Sequence, residues 1–375
     1  ERANPEFRVP QLLVEPGETV RRGQSLTAAS DDLQVPCHAS SAGTLIGISP
    51  RPAIRPGAPA KSCIELLVDP LGPSAPLNRL RDWQTASKDQ LVDHLHQMGL
   101  AGMGGAMFST PAKLRGPWSG INTLILNGAE CEPWIACDES LMRTRPAEIL
   151  IGGLILAAAA GAEHMIVAVE DPMDQTARDL SSAAAGLGLS DRVQITCVPC
   201  VYPQGGERQL IQCLTGLEVP HDGLPQDLGL LCHNVATAAA AFDAVESGRA
   251  VTERIVTVTG AGVAQPGNFV TPIGTPASWV IHQAGGYTDS AHRLVVGGPM
   301  SGISAGTDEF PISKGTNCLL ALDTPTSPGA TVLPCINCGA CVQSCPASLM
   351  PQTLFRLIEA GRYEQSRELG VFDCI

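Results

Sequence analysis

Four cysteines in the segment CINCGACVQSCP have the spacing of an iron–sulfur ligand set. They are Cys335, Cys338, Cys341 and Cys345, and they follow the pattern C-x2-C-x2-C-x3-C-P. Two-residue gaps allow a tight loop to direct three thiolates at one cluster, and in two-cluster proteins the fourth cysteine ligates the other cluster. A zinc site is the alternative, although zinc sites do not favour the C-P ending. The spacing therefore predicts electron-transfer chemistry in this segment.

A fifth cysteine, Cys374, lies in the segment FDCI and resembles the first position of a second run of this type. The ferredoxin pattern assigns the first three cysteines of the run to one 4Fe–4S cluster, and the fourth cysteine and Cys374 to another. We therefore expect thiolates beyond Ile375 to complete both clusters, and a chain that ends there to hold iron poorly.

The segment AGMGGAMFSTPAKL combines a glycine loop with an aromatic and a basic residue. It contains Gly102, Gly104 and Gly105, followed by Phe108 and Lys113. Glycines let backbone amides approach a phosphate, and a lysine at the start of the following helix adds a positive charge. A helical pattern precedes the loop where a Rossmann fingerprint requires a strand. This segment alone is compatible with both a phosphate-binding loop and a flexible surface loop.

Carboxylates follow a strand-like run in the middle of the chain. Glu130 and Glu132 come just after INTLILN, which ends at Asn127. Because ligands bind at the carboxyl ends of parallel strands, this pair could bond a flavin or a dinucleotide, although a solvated loop is the commoner explanation. Further along, the segment YPQGGERQL places Glu207 after a glycine pair at the start of a helix.

The middle of the chain must supply the elements that position these residues. Apolar residues recur at helical spacing over 87–100, and strand-like runs at INTLILN, HMIVAVE and RVQITCV alternate with helical stretches. This alternation predicts an α/β layer with a mainly parallel sheet. An Ala-rich helix over 232–247 closes the layer, and N-cap function explains Asn234 at its start more simply than ligand contact.

The flanking regions have different patterns. Residues 12–70 have short apolar runs between Gly and Pro turns, which predicts a small all-β unit. Its segments EPGETVRRGQSL and VPCHASSAGTLIGI resemble a biotinyl/lipoyl-type domain, but no lysine lies between Asp31 and Ser40, so we expect a structural role. From ERIVTVTG to about residue 323 the pattern predicts a β-rich domain with one helix near 279–284. Residues 324–329, TPTSPG, have the composition of a linker.

Composition excludes several classes of function. The chain has 24 basic and 37 acidic residues, so its net charge of −13 argues against nucleic-acid binding. The longest apolar stretch, 149–162, contains two glycines and is shorter than the roughly 20 residues of a membrane span, so we expect a buried helix and membrane association through partners. The first residues lack a signal-peptide pattern, which favours reduced thiols or metal ligands over disulfides.

The order of these motifs resembles that of the C subunit of the Rnf/Rsx ion-translocating electron transport complex, over essentially the whole chain. The shared segments are GMGGAMFSTPAKL, NGAECEPWIACDESL, YPQGGERQLIQCLTGLEVP, HNVATAAAA, TERIVTVTGAGVAQPGNFVTPIGTP, VVGGPMSGI and the cysteine run. The middle portion is also similar to the NADH-binding flavoprotein subunit of respiratory complex I.

The resemblance implies an α/β multidomain chain of four parts. These are a barrel-sandwich hybrid at 1–74, a Rossmann-like FMN and NADH domain at 75–249, an SLBB β-grasp domain at 250–323, and a truncated ferredoxin-type 4Fe–4S module at 324–375.

The same resemblance implies ligand contacts. The residues facing FMN would be Gly102, Gly104, Gly105, Lys113, Asn127, Glu130 and Asn234. The residues on the NADH side would be Phe108, Glu132, Tyr202 and Glu207. The sequence departs from the family at three places, because Met107 stands where the loop usually has glycine, Ser109 where it has proline, and Cys131 where complex I relatives have serine.

The function implied is that of a peripheral subunit on the cytoplasmic side of the cell inner membrane. It would pass electrons from NADH through FMN to two 4Fe–4S clusters, with membrane-embedded subunits and a ferredoxin-like carrier as partners. The alternative is a degenerate flavoprotein scaffold that docks partner subunits and uses its cluster as a structural element.

Overall fold

The structure is a computed structural model that describes residues 10–29, 31–116, 118, 120–323 and 333–374. The predicted linker at 324–329 lies outside the described residues.

Strands and helices are numbered along the chain. The strands are β1 Thr19–Val20, β2 Gly43–Arg51, β3 Lys61–Val68, β4 Thr123–Gly128, β5 His164–Glu170, β6 Val193–Val198, β7 Leu230–Asn234, β8 Glu253–Thr259, β9 Gly267–Pro272, β10 Arg293–Val296, β11 Ile303–Ser304 and β12 Cys318–Leu322. The helices are α1 Lys88–Gln97, α2 Thr110–Leu114, α3 Cys137–Thr144, α4 Pro146–Ala160, α5 Asp174–Gly186, α6 Glu207–Thr215, α7 Val235–Phe242, α8 Ala277–Gln283, α9 Ala340–Gln343, α10 Pro351–Glu359 and α11 Tyr363–Glu368.

A four-stranded parallel sheet in the order β6-β5-β4-β7 forms the centre of the middle region. Strand β4 lies between β5 and β7, and its three apolar residues Leu124, Ile125 and Leu126 are fully buried between helices on both faces. The predicted parallel sheet is therefore confirmed. The chain runs from β4 through β5 to β6 in one direction, and β7 is added on the other side of β4. The strand order thus reverses between β4 and β7, and the switch-point crevice outside their carboxyl ends is where open α/β sheets bind ligands.

Helix α4 is the predicted buried helix, and close packing explains its glycines. A Cβ atom on Gly152 would lie 1.8 Å from the carbonyl oxygen of Ala238 in α7, so no side chain fits between the two helices. A Cβ on Gly153 would meet Met165 of β5 in the same way. The α4–α7 layer thereby covers one face of the sheet and fixes the start of α7 beside the crevice.

Helix α1 leads the chain into the glycine-rich segment. It starts with a capping box in which Ser87 and Gln90 exchange hydrogen bonds, and it buries Leu91 and Leu95. Gly99 follows with φ of 76°, a left-handed conformation that favours glycine and ends the helix. The expectation that a helix precedes the glycine loop is confirmed.

The N-terminal unit has a three-stranded antiparallel sheet, β1-β2-β3, over a small apolar core. Its segment 31–38 packs on the middle region. Asp32 forms an ion pair with Arg115, its carbonyl oxygen accepts from the Ser109 hydroxyl, and His96 Nε2 lies 2.7 Å from the carbonyl oxygen of Gln34. The segment that would carry a lipoyl lysine is thus held against the start of α2.

A five-stranded sheet has the order β11-β10-β12-β8-β9, and only its β12–β8 pair is parallel. Helix α8 packs on it, which confirms the predicted helix in this region. We call this part, residues 253–322, the β8–β12 unit.

The C-terminal segment consists of α9 to α11 and a short 3-10 turn at Val371–Asp373. His221, from the loop after α6, lies 2.8 Å from the Asp373 carboxylate and joins this segment to the middle region. None of the helices in the described residues is both long and apolar enough to cross a membrane.

Candidate functional site

The two ends of the glycine loop, residues 101–109, are joined by backbone hydrogen bonds. The amide of Gly102 donates to the carbonyl oxygen of Phe108 at 2.8 Å, and Ala101 bridges Ser109. Gly105 has φ of 82°, which glycine adopts without strain. Met107 has φ of 51°, so a non-glycine residue occupies a left-handed position at a cost of about 1 kcal/mol or more. A glycine at this position would avoid that strain.

The start of α7 holds the glycine loop at the switch-point crevice. A Cβ on Gly104 would lie 3.0 Å from Cβ of Asn234, so glycine allows this close approach. The Met103 amide donates to the Thr237 hydroxyl at 3.0 Å. Asn234 caps α7 by accepting from the Ala236 amide at 2.8 Å, which confirms the N-cap interpretation.

Lys113 lies in the last turn of α2, not at its start as the sequence suggested. Its ammonium donates to Glu207 Oε1 at 2.7 Å and to the carbonyl oxygen of Cys232 at 2.6 Å. The Lys113 side chain is 20% exposed and that of Glu207 39%. A residue expected to hold the FMN phosphate and one expected on the NADH side are therefore bonded to each other.

Asn127 at the end of β4 links two predicted site segments. Its amide donates to the carbonyl oxygen of Gly205 at 2.8 Å, and its side-chain oxygen accepts from the Ala129 amide at 3.0 Å. The glycine pair before α6 is thereby fixed at the carboxyl end of β4.

Glu130 binds the N-terminus of α3. Its oxygens accept from the amides of Asp138 and Glu139 at 3.0 and 3.1 Å, and from the Cys137 thiol at 3.3 Å. Burial, followed by repulsion from Asp138, raises the pKa of Glu130 to about 8. Asp138 in turn accepts from the Asn234 amide at 2.6 Å, so Glu130 and Asn234 belong to one buried network.

Arg254 completes this network and was not identified from the sequence. It is nearly fully buried in β8, and it donates to the carbonyl oxygens of Met103 at 3.2 Å and of Lys314. Burial lowers its pKa, while Cys137 and Asp138 act in the opposite direction. The sequence feature that could have identified Arg254 is its position as the single basic residue in the strand-like run ERIVTVT.

Glu132 contacts the β8–β12 unit instead of the crevice. Its carboxylate accepts from the amides of Met300 and Ser301 at 2.9 and 2.7 Å, and from the Ser301 hydroxyl. Tyr202 converges on the same point, and burial, then Glu132, raise the pKa of its phenol. Phe108 is 53% exposed at the mouth of the loop. These residues form a rim beside the crevice.

The cysteines of the run lie on a surface loop and the short helix α9. Cys335, Cys338 and Cys341 are exposed, Cys345 is partly buried, and Cys374 is exposed. Backbone amides of Asn337 and Leu349 approach the sulfurs of Cys335 and Cys345 at 3.4 Å each. Such N–H···S bonds also tune iron–sulfur clusters.

Within the described ranges, one group of three potential metal ligands lies close together, namely Glu130, Cys137 and Asp138. Each of them already has hydrogen-bond partners, including the amides at the start of α3. We therefore interpret this group as the buried network described above and not as a metal centre.

Two family models and several curated proteins match this chain. The family described as the Nuo51 FMN-binding domain matches residues 95–243, and the SLBB domain family matches residues 255–304. The C subunit of the ion-translocating oxidoreductase complex of Erwinia tasmaniensis is 40% identical over 364 residues, which are 97% of this chain and 45% of the relative. The protein of the same name from Edwardsiella ictaluri is 39% identical over 362 residues, or 95% and 44% of the two chains.

The chain belongs to the family of these C subunits. It contains an FMN-binding domain and an SLBB domain, and it spans about half the length of the curated relatives that it matches.

A solved structure shares the fold of much of the chain. The NAD+-reducing NiFe-hydrogenase in its H2-reduced state has a TM-score of 0.55 and 24% identity, over 63% of this chain and 47% of that one. The air-oxidized state gives a TM-score of 0.52 at 23% identity, over 63% and 46%.

Proposed function

We propose that this chain binds FMN in the switch-point crevice, takes electrons from NADH and passes them to 4Fe–4S clusters on its C-terminal cysteines. It would do so as a peripheral subunit, on the cytoplasmic side of the inner membrane, of an ion-translocating NADH:ferredoxin oxidoreductase complex. Its partners would be the membrane-embedded subunits and a ferredoxin-like carrier.

The observation that carries this proposal is the position of the glycine loop. Gly104 approaches Asn234 so closely that a Cβ would fill the gap, and this contact lies where the strand order reverses. Two buried polar atoms near the loop, Thr110 Oγ1 and His233 Nε2, have no hydrogen-bond partner within the described part of the chain. Loop amides, an ammonium and unsatisfied polar atoms at a switch point fit the phosphate and ribityl chain of FMN.

The residues would have distinct tasks. The amides of Gly102, Gly104 and Gly105 would surround the phosphate, and Lys113 would neutralise it. The side chains facing the flavin ring would be those of Asn127, Glu130 and Asn234, which are already fixed by hydrogen bonds to the surrounding loops. Preorganised groups of this kind cost little to position when a ligand binds.

On the dinucleotide side, Phe108 would stack on NADH. Tyr202 and Glu132 would shape the rim through their shared contact with Ser301. Glu207 would contact the dinucleotide once Lys113 has turned to the phosphate. The bound flavin supplies acceptance of hydride from NADH and release of single electrons, while the protein supplies placement and exclusion of water.

The C-terminal cysteines would hold the clusters. Cys335, Cys338 and Cys341 would ligate the first cluster, and Cys345 and Cys374 would belong to a second. Cys374 directly follows the 3-10 turn at Val371–Asp373, and it lies close enough to the rim to contribute to the raised pKa of the Tyr202 phenol.

The test is reconstitution of the purified chain with FMN, followed by anaerobic addition of NADH. We expect a flavin absorbance band that NADH bleaches. A band that does not respond to NADH would indicate a different organic substrate.

The scaffold alternative is favoured by two observations. Lys113 is neutralised by Glu207, and both carboxylate oxygens of Glu132 are engaged by the β8–β12 unit. Under this alternative the reconstituted chain retains no flavin, while its partner subunits still bind it.

A further inference from the structure

The tripeptide Ser313–Gly315, between β11 and β12, packs along the glycine loop although it lies far from it in sequence. Lys314 Nζ donates to the carbonyl oxygen of Gly99 at 2.5 Å, just before the loop begins. The carbonyl oxygen of Lys314 accepts from Arg254, which also bonds the carbonyl oxygen of Met103 in the loop. The residue before the loop is thus bonded to the tripeptide directly, and Met103 within the loop is linked to it through Arg254.

The third contact is made at the far side of the loop. A Cβ on Gly315 would lie 2.5 Å from Cγ and 2.8 Å from Sδ of Met107, and 3.2 Å from the carbonyl oxygen of Gly105. The Ser313 hydroxyl lies 3.7 Å from the Met107 sulfur. Because Met107 has a left-handed backbone conformation, its side chain needs external support to stay there. Ser313 and Gly315 provide that support.

Lys314 is costly to bury and has no carboxylate partner within the part of the chain that the structure describes. Burial lowers its pKa to about 8, and Cys37 acts in the opposite direction. Nearby, His38 also has its pKa lowered, to about 4, by burial and by Lys314. A lysine in such a position is explained by the backbone contact that it makes with the start of the loop.

We propose that Ser313–Gly315 is a brace that sets the shape of the glycine loop, with Lys314 and Gly315 as positioning residues for the flavin. The flavin part of this inference rests on the proposed function. The brace lies outside the matched SLBB range of 255–304. It makes the affinity of the middle region for FMN depend on the β8–β12 unit, which does not touch the phosphate itself.

The test combines hydrogen exchange with FMN titration, using Gly315→Ala, Lys314→Met and the control Gly306→Ala. A Cβ on Gly306 meets nothing closer than 3.4 Å, so this control adds the same methyl group without a clash. In the ligand-free protein, the amides of Gly102 and Met103 should exchange faster in both brace variants than in the control. The dissociation constant for FMN should rise by about five-fold or more, as expected for overpacking and loss of a buried contact.

A double variant separates positioning from general damage to the fold. Met107→Ala removes the two side-chain atoms that a Cβ on Gly315 would strike and leaves only the Gly105 carbonyl oxygen at 3.2 Å. Met107→Ala/Gly315→Ala should therefore recover most of the FMN affinity that Gly315→Ala loses. A double variant as weak as Gly315→Ala overturns the packing argument. Unchanged exchange of the loop amides in both brace variants overturns the brace, whether or not the protein binds FMN. A wild-type chain that fails to bind FMN overturns the proposed function and the proposal that Lys314 and Gly315 position the flavin. In that case, hydrogen exchange of the loop amides still decides whether the brace shapes the loop.

Discussion

The ion pair between Lys113 and Glu207 makes a specific prediction about flavin affinity. In the structure the ammonium is bonded to the Glu207 carboxylate at 2.7 Å, and in the proposed complex it bonds the FMN phosphate. Phosphate and carboxylate therefore compete for one cation. Glu207→Gln should tighten FMN binding, whereas Lys113→Ala should weaken it.

The magnitudes follow from the exposure of the pair. Glu207 is 39% exposed, so the pair is screened and contributes about 1 kcal/mol at most. Removing this competition should lower the dissociation constant for FMN by about five-fold. A charge-assisted contact to phosphate contributes roughly 1.5 to 3 kcal/mol, so Lys113→Ala should raise the constant by about ten-fold or more.

The assay is quenching of FMN fluorescence by the flavin-free protein, with Glu218→Gln as the control. Glu218 is exposed and lies in the loop after α6, so it matches the change in charge without touching Lys113. The effect of Glu207→Gln should shrink at high salt, because screening weakens the competing pair. Separately, Glu207→Gln should raise KM for NADH if Glu207 contacts the dinucleotide. Weaker FMN binding in Glu207→Gln would refute the competition, and unchanged binding in Lys113→Ala would remove Lys113 from the phosphate site.

Three further predictions concern other contacts. Ser301→Ala removes the hydroxyl that donates to Glu132, so hydrogen exchange of the amides of residues 297–302 should become faster and KM for NADH should rise. Unaltered exchange would show that this hydroxyl does not stabilise the 297–302 segment. Cys338→Ala should abolish the first cluster, measured as iron per chain, yet leave stopped-flow reduction of the flavin by NADH intact. Because burial lowers the pKa of Lys314 to about 8 from 10.5, the unfolded chain binds more protons between these values, and wild-type stability should rise with pH there. The free energy of unfolding should be measured with urea at pH 7.5 and pH 10. Relative to the wild type, Lys314→Met should lose about 2 kcal/mol of stability between these two pH values. The control is Lys61→Met, which replaces an exposed lysine and should show no such loss.

Most of the secondary structure of the middle region could be predicted because it depends on local patterns. The exception is β7, Leu230–Asn234, whose last three residues were assigned to the predicted Ala-rich helix over 232–247. The run HMIVAVE is β5, His164–Glu170, and the apolar stretch with two glycines is α4. Both are strongly periodic or continuously apolar, so the burial of their side chains fixes the element type. The same holds for Asn234, whose N-cap bond needs only its own helix.

The partners of the charged residues could not be predicted, because they lie far apart in sequence. Lys113 and Glu207 are 94 residues apart, Glu132 and Ser301 are 169, and Lys314 and Gly99 are 215. Such contacts depend on how the β8–β12 unit docks on the parallel sheet, and local propensity carries no information about that. Motif matching therefore named Glu132 and Glu207 as ligand contacts without showing that each already bonds another part of the protein.

Two of these long-range contacts originate in the β8–β12 unit, and they reach two different parts of the site. The amides of Met300 and Ser301 hold Glu132 at the rim, while Lys314 holds the carbonyl oxygen of Gly99 at the base of the glycine loop. A shift of the β8–β12 unit would therefore change the flavin side and the dinucleotide side together. A ligand shifts the equilibrium between two positions of the β8–β12 unit only if it binds one position more tightly than the other. FMN binding and NADH binding should therefore be coupled through this unit and not through direct contact alone.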